Sequence, residues 1–176
     1  MTLTHVLPTL RQSLPDPLDR DRWPEFTSVT TSDLVIAGVS LVRLAEWCGT
    51  PCVHSAAAVI PGTGGRPSET ELASAVLVSV AEVHRRPDGG LNVGLDGEFA
   101  AVAAETGQAR LIGRTSTARD VMVHIRAAVL ELPGDLSEGD LIAVPVRGAV
   151  RLHDVDPERR RLADPSGSAP AGRCGR

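Results

Sequence analysis

Short apolar segments separated by turn-forming residues recur along most of this chain, and their spacing constrains the fold more than any other feature. The clearest segment, residues 75–83, alternates between the two faces of a strand, with valine at every second position of one face. Residues 86–90 follow it with Arg-Pro-Asp-Gly-Gly, in which proline presets φ and glycine supplies a positive φ. Strands with turns about every 8 to 12 residues are typical of a β-barrel or a β-sandwich.

The same pattern places the other elements. The predicted strands are 34–39, 51–54, 75–83, 91–95, 99–104, 108–113, 120–125, 140–147 and 148–153. Residues 105–108 are predicted to join two of them as a hairpin. A short helix is predicted over 40–47, capped by Ser40 and stopped by Gly49. The expected fold class is therefore all-β with one or two short helices.

Composition divides the chain into three parts. Residues 1–32 are rich in Pro, Asp and Thr and are predicted to form an extended arm, fixed to the barrel by Trp23 and Phe26. Residues 33–155 are expected to form a single β-barrel domain, and 156–176 a disordered tail. A (β/α)₈ barrel needs about 250 residues, so a chain of 176 cannot contain one.

The charged residues exclude several functions. All 18 basic residues are arginine, so the chain has no lysine to hold pyridoxal phosphate as a Schiff base. A net charge of −4 without a basic stripe argues against binding to nucleic acid. The chain has no apolar run of about 18 residues that would span a membrane. Its three cysteines are an odd number, which argues against a framework of disulfide bonds. A cytoplasmic location is the expectation.

Three segments, in this order, resemble one enzyme family. They are LAEWCGTP within 38–54, GRTSTARD at 113–120 and GDLIAVPVRGAV at 139–150. They are similar to sequences of the diaminopimelate and ornithine decarboxylases, which are fold-type III pyridoxal-phosphate enzymes related to alanine racemase. The resemblance implies the β-barrel domain of such an enzyme, with the TIM barrel missing between residues 55 and 71.

Departures from the family pattern argue against inherited activity. Ser116 stands where the resemblance implies a catalytic cysteine, and Val150 where it implies a cofactor-contacting tyrosine. The lysine that holds the cofactor is absent. Asp120 alone is retained, at the position that helps to bind the distal amine of the substrate. The expectation is a protein with no cofactor that works independently of pyridoxal phosphate.

Asp120 and His124 are the candidate acid/base pair, together with Ser116 as a hydrogen-bond donor. Their even spacing places Asp120 and His124 on one face of the strand 120–125. If that face lines the barrel, the two residues are able to act as general acid and base; if it faces water, they are polar surface residues. Arg114 and Arg119 are candidates for clamping a substrate carboxylate, with Val150 as a further substrate contact. A solvated loop is the alternative for Arg114, Ser116 and Arg119.

Cys48, Cys52 and His54 offer two thiols and an imidazole within seven residues. They suit zinc or a nucleophile, but no second group of ligands lies nearby in the sequence. The favoured interpretation is that the cysteines belong to the core, and no metal is expected.

Three functions remain open. The first is a small-molecule biosynthetic protein, such as a cyclase, isomerase or lyase, that uses a pocket in the barrel or at a dimer interface. The second is a non-catalytic pseudo-subunit, either a homodimer or bound to a full-length decarboxylase, since loss of the TIM barrel would uncover apolar surface. The third is half of an enzyme whose other half another chain supplies; Ser116 and Val150 count against it.

Overall fold

A computed structural model describes residues 2–126, 128–156 and 158–159. Most of it is β-structure, as predicted. The strands are β1 (Ser28–Val29), β2 (Leu34–Ile36), β3 (Val39–Ser40), β4 (Cys52–Val59), β5 (Pro67–Arg85), β6 (Leu91–Leu95), β7 (Arg110–Ile112), β8 (Asp120–Ile125), β9 (Ala128–Pro133) and β10 (Leu141–Arg147). The α-helices are α1 (Leu3–Val6), α2 (Leu41–Cys48) and α3 (Leu152–Val155). Short 3₁₀ helices cover Pro8–Gln12, Arg20–Arg22 and Thr106–Gln108.

A nearly closed β-barrel forms the centre of the molecule. Its strands follow the order β7-β10-β5-β6-β8-β9, and the outermost strands β7 and β9 contact each other. The long strand β5 pairs with β10 along one edge and with β4 and then β6 along the other. β6 and β8 are parallel, while the other pairs are antiparallel. The predicted all-β barrel with short helices is confirmed.

Strand alternation builds two cores on opposite faces of the sheet. Val76, Val78 and Val80 point into the barrel with the apolar residues of β6, β8, β9 and β10. Ala75 and Leu77 point outward into a second core. A small sheet (order β1-β2-β3) and α2 cover that outer core. Because both faces of β5 are covered, its central residues form a continuous apolar run.

Helix α2 has the two caps that the sequence predicts, and it covers Leu41–Cys48 where the prediction is 40–47. The Ser40 side chain accepts a hydrogen bond from the Arg43 backbone N–H at 3.2 Å, and Gly49 ends the helix with φ 72°. Asp33 adds a second cap, because its carboxylate accepts a hydrogen bond from the Val42 N–H at 3.1 Å. Leu41 and Ala45 are the residues of this helix that are buried in the outer core.

Several local predictions are wrong. Residues 99–104 and 148–153 are not strands: the first forms turns with one isolated bridge at Ala104, and the second leads into α3. The predicted hairpin at 105–108 is a 3₁₀ turn in a longer connection. The arm contains three short helical turns in place of an extended chain, and the boundary expected at residue 32 falls between the paired strands β1 and β2.

The two aromatic residues of the arm differ in their surroundings. Trp23 is buried in the outer core with 1% exposure, as predicted. Phe26 is 70% exposed at φ 51°, so it does not fix the arm to the barrel. Within the described part of the chain, no helix is long and apolar enough to cross a membrane. Residues 157 and 160–176 of the expected tail, with Cys174, lie outside the described residues.

A candidate ligand pocket between the arm and the barrel

The N-terminal arm crosses the outer face of β8 and encloses a cavity of about 460 Å³ against the barrel. This volume lies in the usual range for small-molecule sites, roughly 300 to 1,000 Å³. Polar and charged side chains converge on it from three directions, namely the arm, β7 with the loop that follows it, and β8 with β9. The charged and hydroxyl-bearing residues that carry the argument are His5, Arg11, Arg110, Arg114, Ser116 and Asp120.

Arg11 fastens the arm to the barrel. Its guanidinium donates to the Asp120 carboxylate at 2.5 Å and to the backbone oxygen of Ala118 at 3.0 Å. Both side chains of this ion pair are largely buried, with exposures of 8% and 12%. Burial lowers the pKa of Arg11, but the hydrogen bond and the charge of Asp120 outweigh it, and the net shift is upward. Asp120 is therefore engaged by a residue more than 100 positions away in the sequence.

His5 lies beside the same carboxylate. Its Nδ1 is 3.3 Å from Asp120 Oδ2, and its Nε2 is 3.7 Å from Glu131 Oε1. The ring is about one-third exposed and lines the cavity. Carboxylates therefore lie beside both ring nitrogens, that of Asp120 beside Nδ1 and that of Glu131 beside Nε2. The histidine that accompanies Asp120 is thus His5.

Arg110 has no carboxylate in a salt bridge with it among the described residues, although it lines the cavity. Its guanidinium donates to two backbone oxygens of the arm, those of Asp16 at 2.8 Å and of Pro17. Burial lowers its pKa, and the nearby charge of Arg11 lowers it further, against the attraction of Asp16. A desolvated cation without a bonded counterion favours an anion in the adjacent space.

Arg114 and Ser116 form hydrogen bonds with carboxylates of the protein itself. Arg114 donates to Asp140 at 2.7 and 2.6 Å and to Asp135 at 3.3 Å, which raises its pKa. Ser116 is buried and donates to Asp135 at 2.6 Å. Burial raises the pKa of Asp135, but these two donors outweigh it, so the net pKa is lowered. The ion pairs order the loop after β7, and the guanidinium of Arg114 is occupied by protein carboxylates.

The remaining candidate site residues do not meet in this cavity. Asp120 and His124 share the outer face of β8, where Met122 between them is 56% exposed. A strand rises about 3.3 Å per residue, so their Cα atoms are about 13 Å apart and the two side chains do not form a direct pair. Arg119 is exposed. Val150 packs against the barrel core, and its backbone N–H donates to Ser74 at 3.1 Å.

The cysteines and His54 form no metal centre. Cys52 is buried, and burial raises the pKa of its thiol to about 11, with smaller contributions from Cys48 and Asp96. The thiol is therefore protonated and unreactive at neutral pH. Cys48 is exposed at the end of α2. In the part of the chain that the structure describes, no three His, Cys, Asp or Glu side chains are arranged to hold a metal ion.

Three residues of the candidate site escape sequence analysis: His5, Arg11 and Arg110. His5 and Arg11 lie in the arm, whose composition gives no sign of burial. Arg110 carries a detectable signal, since it is a charged residue in a predicted strand beside Leu111 and Ile112. Comparison of the chain with protein-family models, curated proteins and solved structures found no match in any of the three.

Proposed function

We propose that this protein acts on a small carboxylate-bearing molecule in the pocket between the arm and the barrel, and that it catalyses proton transfer without a cofactor. The observation that carries the proposal is Arg110, a partly buried guanidinium that lines a cavity of about 460 Å³ and whose hydrogen-bond partners among the described residues are two backbone oxygens. A guanidinium is the side chain best suited to hold a carboxylate, because it donates two parallel hydrogen bonds.

His5 supplies the proton transfer in this proposal. Asp120 orients the ring through Nδ1, and Nε2 takes a proton from a C–H bond made acidic by a neighbouring carbonyl. The electron pair of that bond moves to the carbonyl oxygen, giving an enolate. The proton returns to the same carbon in an exchange, or to another in an isomerisation. Cyclases, isomerases and lyases that act beside a carbonyl share this first step. The pair of His5 and Asp120 therefore indicates proton transfer, and it does not identify the final product.

The absence of lysine supports independence from pyridoxal phosphate, because this chain has no side chain that forms the internal Schiff base. The motifs that resemble the decarboxylases support an origin as a β domain that lost its barrel. In that case the position of Asp120 is retained while its partners are new. Arg11 and His5 now occupy the space around its carboxylate.

The test is exchange of the α-protons of small α-keto acids into heavy water, followed by proton NMR. We expect the protein to accelerate exchange in keto acids and not in matched ketones that lack the carboxylate. His5→Gln should reduce the rate at least about 100-fold, since a general base contributes roughly 10² to 10⁴. Arg110→Gln should weaken apparent binding about 10- to 100-fold, the effect expected when a hydrogen bond to a charged group is lost.

Arg85→Gln is the matched control, because Arg85 is exposed and lies outside this pocket. Equal exchange in the wild type and in His5→Gln would contradict the assignment of the base. Equal acceleration of exchange in keto acids and in ketones would contradict the carboxylate site.

A homodimer is a second candidate, favoured by apolar side chains on and beside the outer face of β8 and β9. Leu3, Val6 and Met122 are each more than half exposed, and Val129 is 40% exposed. We propose that a second copy of this chain covers them, as the resemblance to two-fold decarboxylases implies; a full-length decarboxylase is the other partner of this kind.

Light scattering tests the homodimer. We expect a mass of two chains for the wild type and of one chain for the double variant Met122→Glu, Val129→Glu. Phe26→Glu, which changes an exposed aromatic residue elsewhere, should remain dimeric. A wild type that stays monomeric at all concentrations, alone and when co-expressed with a decarboxylase, would contradict both partners.

A further inference from the structure

A second cavity, of about 900 Å³, opens at one end of the barrel where β6 and β8 meet the connection that follows β6. Its floor belongs to the barrel core itself: Val93 and Phe99 are 5% and 8% exposed, and Val102, Ala104 and Ile125 pack against the same cluster. The apolar interior is thus reachable from outside. This floor suits an apolar group, because its side chains offer dispersion contacts.

Polar residues border the cavity on the outer face of three adjacent strands. His84 of β5 lies opposite Asn92 of β6, and Asn92 lies opposite His124 of β8. The two imidazoles therefore flank the asparagine in one row. Glu98 and Arg126 border the cavity at its far side and form an ion pair at 2.5 Å.

Glu82 is the carboxylate of this border that no arginine neutralises within the described chain. Its one ion-pair partner there is His84, at 3.6 Å, and that pair is charged only when the histidine is protonated. Glu82 lies across β6 above Gly94, where an added Cβ would meet Glu82 Cγ at 2.5 Å. Because Gly94 has no side chain, the side chain of Glu82 is able to lie over the cavity.

We propose that this cavity binds an apolar molecule that carries an amine, with its apolar part on the barrel core and its cation beside Glu82. The charge of the border supports a cation, because no arginine in the described part of the chain pairs with Glu82. This site is independent of the carboxylate pocket, because the two cavities share no lining residue.

The test uses three naphthalene probes that differ only in the charge of one substituent: naphthylmethylamine, naphthylmethanol and naphthylacetate. Binding is measured through probe fluorescence at low ionic strength. We expect saturable binding in the order amine, alcohol, acetate. The amine should bind about threefold more tightly than the alcohol, as an exposed ion pair is worth roughly 0.2 to 1 kcal/mol. Salt should reduce this difference.

Two variants separate the charge from the cavity. Glu82→Gln should remove the preference for the amine and leave binding of the alcohol unchanged, while Glu69→Gln, on the same strand and outside the cavity, should keep the preference. Ala104→Phe fills the cavity and should weaken all three probes at least about 10-fold. Ala103→Phe, at an exposed neighbouring position, should not.

Two results would overturn the proposal: acetate binding as tightly as the amine in the wild type, or an amine preference that survives Glu82→Gln. Glu82 is well exposed, so its variant is expected to fold. The charge test therefore stands even if Ala104→Phe is unstable.

Discussion

Replacement of Trp23 by alanine is expected to lower the free energy of unfolding by about 4 kcal/mol, in the range measured for large-to-small changes in cores. The ring is 1% exposed and packs with Leu34, Ile36 and Leu77 in the outer core. Its loss leaves a cavity between the arm and the sheet, since the covering strands β1–β3 are too short to collapse around it. Denaturant unfolding, followed by circular dichroism, measures the change.

Trp47 provides a matched control, because it is 76% exposed and only stacks on Arg43. Trp47→Ala should change stability by less than about 0.5 kcal/mol. Trp23→Phe should cost less than Trp23→Ala, since it retains most of the ring volume and removes an indole N–H that has no hydrogen-bond partner among the described residues. A loss below about 1 kcal/mol for Trp23→Ala would show that the arm does not pack on the barrel.

Replacement of Arg11 by alanine is expected to cost about 3 kcal/mol, because it leaves the Asp120 carboxylate largely buried without its cation. The same change removes the bond to the Ala118 carbonyl. The double variant Arg11→Met, Asp120→Leu should recover most of the loss, since the carboxylate that then loses its arginine, that of Asp16, is 38% exposed to water. Denaturant unfolding of the wild type, both single variants and the double variant gives the interaction energy of the pair.

The ion pair between Arg86 and Asp88 is the control for Arg11. Its side chains are one-third and more than half exposed, so Arg86→Ala should destabilise the protein much less than Arg11→Ala. Arg11 and Arg86 variants of equal stability would contradict the tight docking of the arm. A double variant as unstable as Arg11→Ala would show that the cost is not that of an unpaired charge.

Local patterns are sufficient to predict the elements whose determinants are close together in the chain. The centre of β5 is a continuous apolar run because it has a core on each face, and Leu41–Cys48 forms a helix because Ser40 and Gly49 cap it. Residues 99–104 have the composition of a strand, yet they turn over the end of the barrel with only Ala104 bridged to Val146. Tertiary packing overrides propensity there.

The candidate site is harder to predict because its residues meet through the fold. Asp120 is identifiable from the sequence, but its partners come from the arm, more than 100 positions earlier. His124 shares the face of Asp120, but four residues of strand separate their Cα atoms by about 13 Å, too far for a direct side-chain pair. Arg110 becomes informative only when the structure shows two backbone oxygens as its hydrogen-bond partners.

The measurement that tests the account most directly is nitrogen-detected NMR of the arginine side chains during titration with a keto acid and its matched amide. We predict that the Nε–H signal of Arg110 shifts saturably with the acid and not with the amide, while the signal of Arg85 stays in place. The signal is assigned through its loss in Arg110→Gln. An Arg110 signal that does not shift with the acid, or that shifts equally with the amide, would contradict the assignment of the pocket as a carboxylate site.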